Sequence, residues 1–494
     1  MSDAHQVRLA QGATLERQGR IPEAVVLYQS VVAERPELGD VWYDLGRLLR
    51  RMRRLDDALA AYDQALAQGA RDPQEIHLNR AVIFAEDLNR PDAAETELKT
   101  ALALSPAYAP ARLNLGNLYE DAGRRDEARQ AYEAVLAAEP SHGTALARLA
   151  GVQATATPDD PLIGRLRSAL AATPEGLEQA DLGFALGRIL DAAGDYDAAF
   201  HAYAAANQAS AALARAKGVV YDPAKAEALV DRLIAATPAP VAALEDDDPA
   251  AAPIFICGMF RSGSTLVERI LGGHSGVRAG GELDLLPTLA ANVFNPFPEA
   301  LGVFDDASRR KIRDVYLNAV RERVPGVGVV TDKRPDNILY IGLAKTLFPK
   351  ARIIHTVRNP IDNALSVFFL HLSYDMAYAL DLEHAAHWTA QERRLAAHWK
   401  SVWPDDVHEV DYDDLVARGE PAVRDLVQAC GLAWEPSVMD FHQRQGPVRT
   451  ASVWQVREPL YARASGRWKN YAPHLDDLRA ALNRYGLARY GLDG

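Results

Sequence analysis

Over the first two hundred positions apolar residues recur at helical spacing, and short polar breaks divide them into paired segments. With Gly46 taken as the eighth position of a 34-residue unit, Ala58, Tyr62 and Ala65 fall at positions 20, 24 and 27, and Trp42 falls at position 4. Moving to Gly116 restores the same frame, with Leu115 before it, Ala128, Tyr132 and Val135 behind it, and Pro140 closing the second segment. Ala24, Tyr28 and Pro36 mark an earlier unit. Ala94, Leu98, Ala101 and Pro106 mark another, and Leu186, Gly187, Ala199 and Tyr203 a later one, while 151–174 drift from the frame. Small residues let two antiparallel helices cross closely and an aromatic fills the adjacent hole, so each hairpin buries its apolar face only by stacking on its neighbours. The pattern predicts an all-helical array over residues 5–207.

A helical stretch at 223–236 runs into Thr237-Pro-Ala-Pro and the acidic Glu245-Asp-Asp-Asp-Pro249, which marks 208–252 as a helix and exposed linker. Beyond it, short β-branched runs alternate with helical patterns. Residues 253–494 are therefore expected to form an α/β domain with a largely parallel sheet.

Composition narrows the functional classes. A chain of 494 residues has room for several cores. Against 67 Asp and Glu stand 54 Lys and Arg, a net charge of -13, which argues against a general nucleic-acid or anionic-membrane surface and confines any polyanion site to a local pocket. Cys257 and Cys430 are too few for a disulfide framework or an all-cysteine zinc site, and suit a reducing compartment. The N-terminus shows no basic stretch ahead of an apolar core, and no apolar run approaches the roughly 18 residues of a membrane span, so a cytoplasmic location is expected.

The chemistry gathers in the second half. Residues 253–258 read as a buried strand and 263–271 as the helix after it, joined by Met259-Phe-Arg-Ser262. A loop wound onto a helix N-terminus aims unsatisfied N–H groups and the positive end of the helix dipole into one small volume, where a phosphate sits. Gly258-x-x-x-x-Gly263-Ser264-Thr265 follows the phosphate-loop pattern of nucleoside triphosphatases, with Ser264 where their lysine stands and Arg261 inside the loop. Phosphoryl transfer needs that lysine on the β- and γ-phosphates. A second strand, 351–357, is followed by Arg358-Asn-Pro-Ile-Asp-Asn-Ala-Leu-Ser366. Pro360 suits a first helical turn, and Ser366 lies eight residues past Arg358, so both side chains can converge on a second phosphate.

These segments resemble the sulfotransferases that use 3′-phosphoadenosine 5′-phosphosulfate (PAPS), from about residue 253 to the C-terminus, and residues 5–207 resemble tetratricopeptide repeats (TPR). Gly281-Glu282 after the loop helix, Asp332-Lys333-Arg-Pro335 before the second strand, and Ser452-Val-Trp-Gln-Val456 ahead of Arg467-Trp468 are most similar to the tyrosylprotein and glycan branch. The resemblance implies that Arg261, Ser262, Gly263, Ser264 and Thr265 hold the 5′-phosphosulfate and that Arg358 and Ser366 hold the 3′-phosphate. Ser452 and Arg467 would close over the cofactor, Arg467 standing where the family usually has lysine. Glu282 corresponds to the catalytic base, and Lys333, assisted by Arg261, to the charge on the bridging oxygen. In-line sulfuryl transfer requires no metal. His355 reads as a core residue, and His371, His384, His387 and His398 are dispersed without a metal-ligand pattern. The expected architecture is an all-α TPR solenoid followed by a P-loop-like α/β sulfotransferase domain, with the repeats docking an acceptor peptide, protein or glycan, or forming a homodimer. The acceptor is a peptide tyrosine, a glycan or a small alcohol. A P-loop kinase or nucleotidase and a catalytically inactive TPR scaffold stand as the alternatives.

Overall fold

The structure, a computed structural model, describes residues 3–242, 244, 252–444, 454–460 and 464–487. It divides into two compact units, residues 1–152 and 153–494. In the first, α1 (Asp3–Arg17) pairs with α2 (Ile21–Glu34), α3 (Gly39–Arg51) with α4 (Leu55–Ala67), α5 (Pro73–Val82) with α6 (Pro91–Leu104), and α7 (Ala109–Asp121) with α8 (Arg125–Ala138), followed by α9 (Gly143–Val152). The helix crossings explain the pattern of small and aromatic residues. A Cβ on Gly46 would stand 2.6 Å from the Tyr62 ring, and one on Gly12 would stand 2.7 Å from Tyr28. Around them Leu45, Leu48, Ala58 and Ala65 are buried in one apolar core. Helices α3, α5, α7 and α9 begin at Gly39, Pro73, Ala109 and Gly143, intervals of 34, 36 and 34 residues. The longer unit carries a π-helical turn, Ile83–Asp87, at the end of α5, which takes up extra residues without moving the next hairpin out of frame.

The second unit opens with α10 (Pro161–Ala172), α11 (Leu177–Ala192), α12 (Tyr196–Ala216) and α13 (Pro223–Ala236). The α11/α12 hairpin keeps the repeat crossing, since a Cβ on Gly187 would stand 2.7 Å from the Tyr203 ring. It nevertheless packs with the α/β part that follows, Tyr203 stacking on Phe369 and Phe200 lying against Phe368. Val230 and Leu233 of α13, inside the expected linker region, lie in the same core as Phe255, Phe348 and Trp399. The repeat signature thus governs how two helices cross, and the residues on their outer faces govern which core they join.

The α/β part runs β1 (Ile254–Gly258), α14 (Ser264–Leu271), β2 (Val277–Ala279), α15 (Leu285–Asn292), α16 (Asp306–Arg323), β3 (Val329–Lys333), α17 (Ile341–Leu347), β4 (Ile353–Val357), α18 (Pro360–Phe368), α19 (Leu382–Val402), β5 (Val407–Asp411), α20 (Tyr412–Arg418), α21 (Glu420–Ala429) and α22 (Asp476–Arg484). All strand pairs are parallel, in the order β2-β3-β1-β4-β5. Along β1, Phe255 and Cys257 enter the core on one face, whereas Ile254 and Ile256 enter the core on the other. Alternation with both faces covered is what a central parallel strand requires. The chain leaves β1 toward β2 and β3 on one side and later adds β4 on the other, so the sheet's switch point lies between β1 and β4. Crevices outside the carboxyl ends of strands at such a point are where open α/β sheets bind ligands. The architecture is the expected one, an all-helical repeat region followed by a parallel-sheet α/β domain. Both cysteines are free and buried. Among the described residues no helix is long and apolar enough to cross a membrane.

Candidate active site

The turn from β1 into α14 is built on three residues with left-handed backbone: Gly258 at φ 142°, Arg261 at 69° and Gly263 at 104°. At Gly258 a Cβ would strike the carbonyl of Thr356 in β4, and at Gly263 it would lie 2.7 Å from Tyr412. Glycine is needed where the chain both reverses and touches its neighbours. Ser262 locks the loop from beneath: its Oγ donates to the Met259 carbonyl at 2.6 Å and lies 2.7 Å from Thr356 Oγ1. The hydroxyl therefore faces inward and is only 1% exposed.

Above the loop is a cleft of about 890 Å³, counting its solvent-open part, at the switch point of the sheet. Seven of the sequence-predicted residues meet on its wall: Arg261, Gly263, Ser264, Thr265, Arg358, Ser366 and Arg467. The two motifs touch, because Arg261 Nε donates to Ser366 Oγ at 3.1 Å. Arg358 braces the floor, donating to the carbonyls of Arg261, at 3.3 Å, and Ala464 while lying over the Tyr412 ring at 5.1 Å. Its buried Nε has no hydrogen-bond partner among the described residues. Ser452 lies outside the described residues.

Glu282 and Lys333 are brought together beside the loop rather than on the cleft wall: Lys333 Nζ donates to Glu282 Oε1 at 2.6 Å, the lysine 1% and the glutamate 42% exposed. Lys333 ends β3, in register with Ile256, two residues before the end of β1. Glu268 on α14 ties the two places together. It accepts the Gly281 N–H at 2.9 Å and the Thr331 hydroxyl at 2.8 Å, which sets the turn that presents Glu282. Burial raises the Glu268 pKa, with the Lys333 charge opposing. Asp332 accepts from the Tyr316 hydroxyl at 2.6 Å and from Asn337 at 3.0 Å, and burial lifts it to about 6. The sequence alone did not single out Glu268, nor give a site role to the carboxylates that hold the cleft's rim, Asp191, Asp362 and Asp413, the last lying in a segment, 412–415, read as packing. Asp362 could have been found, standing one helical turn before Ser366 on α18. Outside the cleft Asp197 and His201 of α12 and His474 bring ligand-type atoms within 4.8 Å of one another, with His474 Nε2 3.0 Å from Asp197 Oδ1. The dispersed histidines of the sequence, from which no metal site is expected, do not announce that grouping.

Comparison with known proteins finds likenesses for the two regions separately. Residues 253–436 match the sequence model of the sulfotransferase family, and 15–81 and 86–153 match a tetratricopeptide repeat model. The chain carries a TPR region and a distinct sulfotransferase-family domain. An uncharacterized protein of Aquifex aeolicus is 33% identical over 312 residues, which is 60% of this chain and 40% of that protein. Protein-tyrosine sulfotransferase A of Caenorhabditis elegans is 22% identical over 253 residues, 47% of this chain and 66% of that protein. Protein-tyrosine sulfotransferase 1 of Danio rerio is 24% identical over 260 residues, 49% of this chain and 72% of that protein. Among solved structures, the sulfotransferase domain of the Synechococcus PCC 7002 olefin synthase aligns with a TM-score of 0.37 at 20% identity, covering 51% of this chain and 98% of that one.

Proposed function

We propose that the chain transfers a sulfuryl group from PAPS to a hydroxyl acceptor, a peptide tyrosine, a glycan or a small alcohol, and that its repeats dock the acceptor or a partner protein. The observation that carries this reading is the 3.1 Å contact from Arg261 to Ser366, which joins two anion-binding motifs in one cleft while Ser264 occupies the lysine position of phosphoryl-transfer loops.

The residues present fit a ligand with two separated anionic ends. The donor set is three guanidinium groups, two hydroxyls at a helix N-terminus and a third on α18, and the Arg358 Nε is buried without a partner among the described residues. Arg261, Ser264 and Thr265 would take the 5′ end, Arg358 and Ser366 the 3′ end, and Arg467 the open side. When bound, PAPS supplies a sulfuryl group activated by a phosphate leaving group. Glu282 accepts the proton of the attacking hydroxyl. Lys333, held against Glu282, orients that carboxylate and provides fixed positive charge beside the loop, and Arg261 adds a second charge from within it. Ser262 serves the site by fixing the loop that carries Arg261.

Two measurements test the proposal. Adenosine 3′,5′-bisphosphate should raise the melting temperature, and ATP with magnesium should not; the reverse pattern would make the domain a kinase or nucleotidase. In single-turnover transfer of labelled sulfate, Glu282→Gln should slow the reaction by about 10² to 10⁴-fold while bisphosphate affinity is kept. The melting temperature of the variant is recorded alongside, because the substitution removes the partner of buried Lys333. A near-normal rate would remove Glu282 as the base.

A further inference from the structure

The rim of the cleft is a short segment around the 3₁₀ helix Arg467–His474, and Ala464, Arg467, Trp468 and Tyr471 face the cavity. Three carboxylates hold it. Asp413 of α20 accepts the Ser465 hydroxyl and, at 2.8 Å, the backbone N–H of Asn359. Asp362 of α18 accepts the N–H groups of Gly466 at 2.6 Å and Trp468 at 2.8 Å, which caps the first turn of the 3₁₀ helix. Both come from the sheet domain, and what they bind on the rim is backbone and a serine.

The third carboxylate differs in origin and in what it binds. Asp191 lies in the last turn of α11, in the hairpin that has repeat geometry, and its side chain is 15% exposed. One of its oxygens accepts from the Arg467 guanidinium and the other from the Tyr471 hydroxyl. Both of its partners line the cleft. The hairpin is seated there by direct packing: Tyr203 of α12 stacks on the cleft residue Phe369 at 4.2 Å, Phe200 stacks on His474 at 4.3 Å, and Asn207 Nδ2 donates to the Phe368 carbonyl at 2.7 Å. A guanidinium on a long side chain loses rotamer freedom when it binds an anion, and a carboxylate that already holds it removes part of that cost. Arg467 has five N–H donors, so one edge can rest on Asp191 while others face the cavity.

We propose that Asp191 is the positioning residue for Arg467, and that the repeat-type hairpin α11/α12 is thereby a working part of the nucleotide cleft. The inference rests on the reading of the cleft as a site for a bisphosphorylated adenosine, and it deepens that reading by making the orientation of the rim arginine depend on α11. Asp191 acts only through Arg467 and Tyr471; it presents no donor of its own to an anion.

The test uses the full chain, with wild type, Asp191→Asn, Arg467→Ala and the double variant, and two readouts. In calorimetry with adenosine 3′,5′-bisphosphate, Asp191→Asn should weaken binding about tenfold, Arg467→Ala by at least as much, and the double variant no more than Arg467→Ala alone. Losses that multiply in the double variant, or tighter binding by Asp191→Asn, would overturn the positioning role. Hydrogen exchange, read without ligand, should show faster exchange at 466–471 in Asp191→Asn with 254–271 unchanged. Unchanged protection at 466–471 overturns the proposal whatever the calorimetry shows. If wild type binds no bisphosphate while 466–471 still loosen, the functional reading fails and the structural role of Asp191 stands.

Discussion

In α3/α4, Tyr62 fills the space left by Gly46 and tilts against Tyr43 at 6.0 Å, wholly inside the array. In α11/α12, Tyr203 fills the space left by Gly187 in the same way but stacks on Phe369 of the cleft. The polar residues diverge further. Around the first hairpin, Arg47 pairs with Glu16 at 2.6 Å and Arg50 with Asp87 at 2.9 Å, stitching successive helices together, the Asp87 carboxylate being the most enclosed of the four groups. Around the second, Asp191 binds Arg467 and Tyr471, and Asp181 and Ser210 both bind His371, at 2.7 and 3.2 Å. Among the described residues every Asp, Glu, Lys, Arg or His that is buried as a whole residue lies at position 268 or beyond. Burying charge is costly unless it is paired. The chain's fully buried charges belong to the α/β part, and both hairpins keep theirs paired; what differs is the partner, another repeat helix for Arg47 and Arg50 and the rim of the cleft for Asp191.

Truncation breaks this comparison most sharply. Residues 153–494, which keep α11 to α13, should fold and bind adenosine 3′,5′-bisphosphate, whereas residues 253–494 should lose binding and solubility. The shorter fragment strips Phe368 and Phe369 of their cover, removes Val230 and Leu233 from the main core and leaves Arg467 without Asp191. Calorimetry on both fragments decides it. Equal binding by the two would return α11/α12 to the role of a spacer.

Paired substitutions sharpen the comparison at a smaller scale. Tyr62 and Tyr203 are 0% and 3% exposed, and replacing either with alanine should cost about 3 to 5 kcal/mol, the range for large aromatic truncations in a core. The stability losses should match and the functional ones should not: Tyr203→Ala should also weaken bisphosphate binding through Phe369, and Tyr62→Ala should leave it unchanged. Denaturant unfolding with calorimetry on the same samples reads both. Weakened binding in Tyr62→Ala would mean that the array itself contributes to the cleft.

What was legible in the sequence follows from the same contrast. The crossings of the array are local, so Gly46 with Tyr62 and Gly116 with Tyr132 announce them at fixed spacing. The loop around Arg261 and the turn at Arg358 are also local, being strand ends leading into helix starts, and both could be placed by number. Their meeting was legible only as a convergence on two phosphates; the direct bond from Arg261 to Ser366 spans 105 positions. Asp191 could not be found, since it reaches Arg467 across 276 positions and nothing in a repeat consensus gives its site a chemical role. Glu268 looks like an ordinary solvent-facing helix position until β3 and the Gly280-Gly281 turn close over it. The drift of 151–174 from the frame falls where the two units divide, but that the hairpin after it packs with the α/β part was hidden, because the motif specifies its inner contacts and leaves the outer face to whatever covers it.

The mildest of the expected effects concerns pH. His355 in β4 is 2% exposed, with Nε2 at 2.6 Å from the equally buried Glu392 and Nδ1 at 3.6 Å from Glu409, while Arg393 approaches Glu409 at 3.7 Å. Burial by itself would lower the imidazole's pKa; the charge and hydrogen bond of Glu392, with Glu409 assisting and Arg393 opposing, outweigh it and lift the value from 6.5 to about 9. A pKa raised in the folded state means that the proton is held more tightly there than in the unfolded chain. The stabilisation is therefore fully present below about pH 6.5 and is lost progressively as pH rises toward 9, a change on the order of 3 kcal/mol. Melting of residues 153–494 should fall across that window, and His355→Gln, which keeps a polar side chain but cannot take up the proton, should flatten the slope while lowering stability at pH 6. The array, whose buried residues include no histidine or carboxylate among those described, supplies the reference. If the α/β unit and residues 1–152 lose stability in parallel between pH 6.5 and 9, the buried imidazolium is not the cause, and the contrast between an apolar core and a charged one has no energetic consequence at this position.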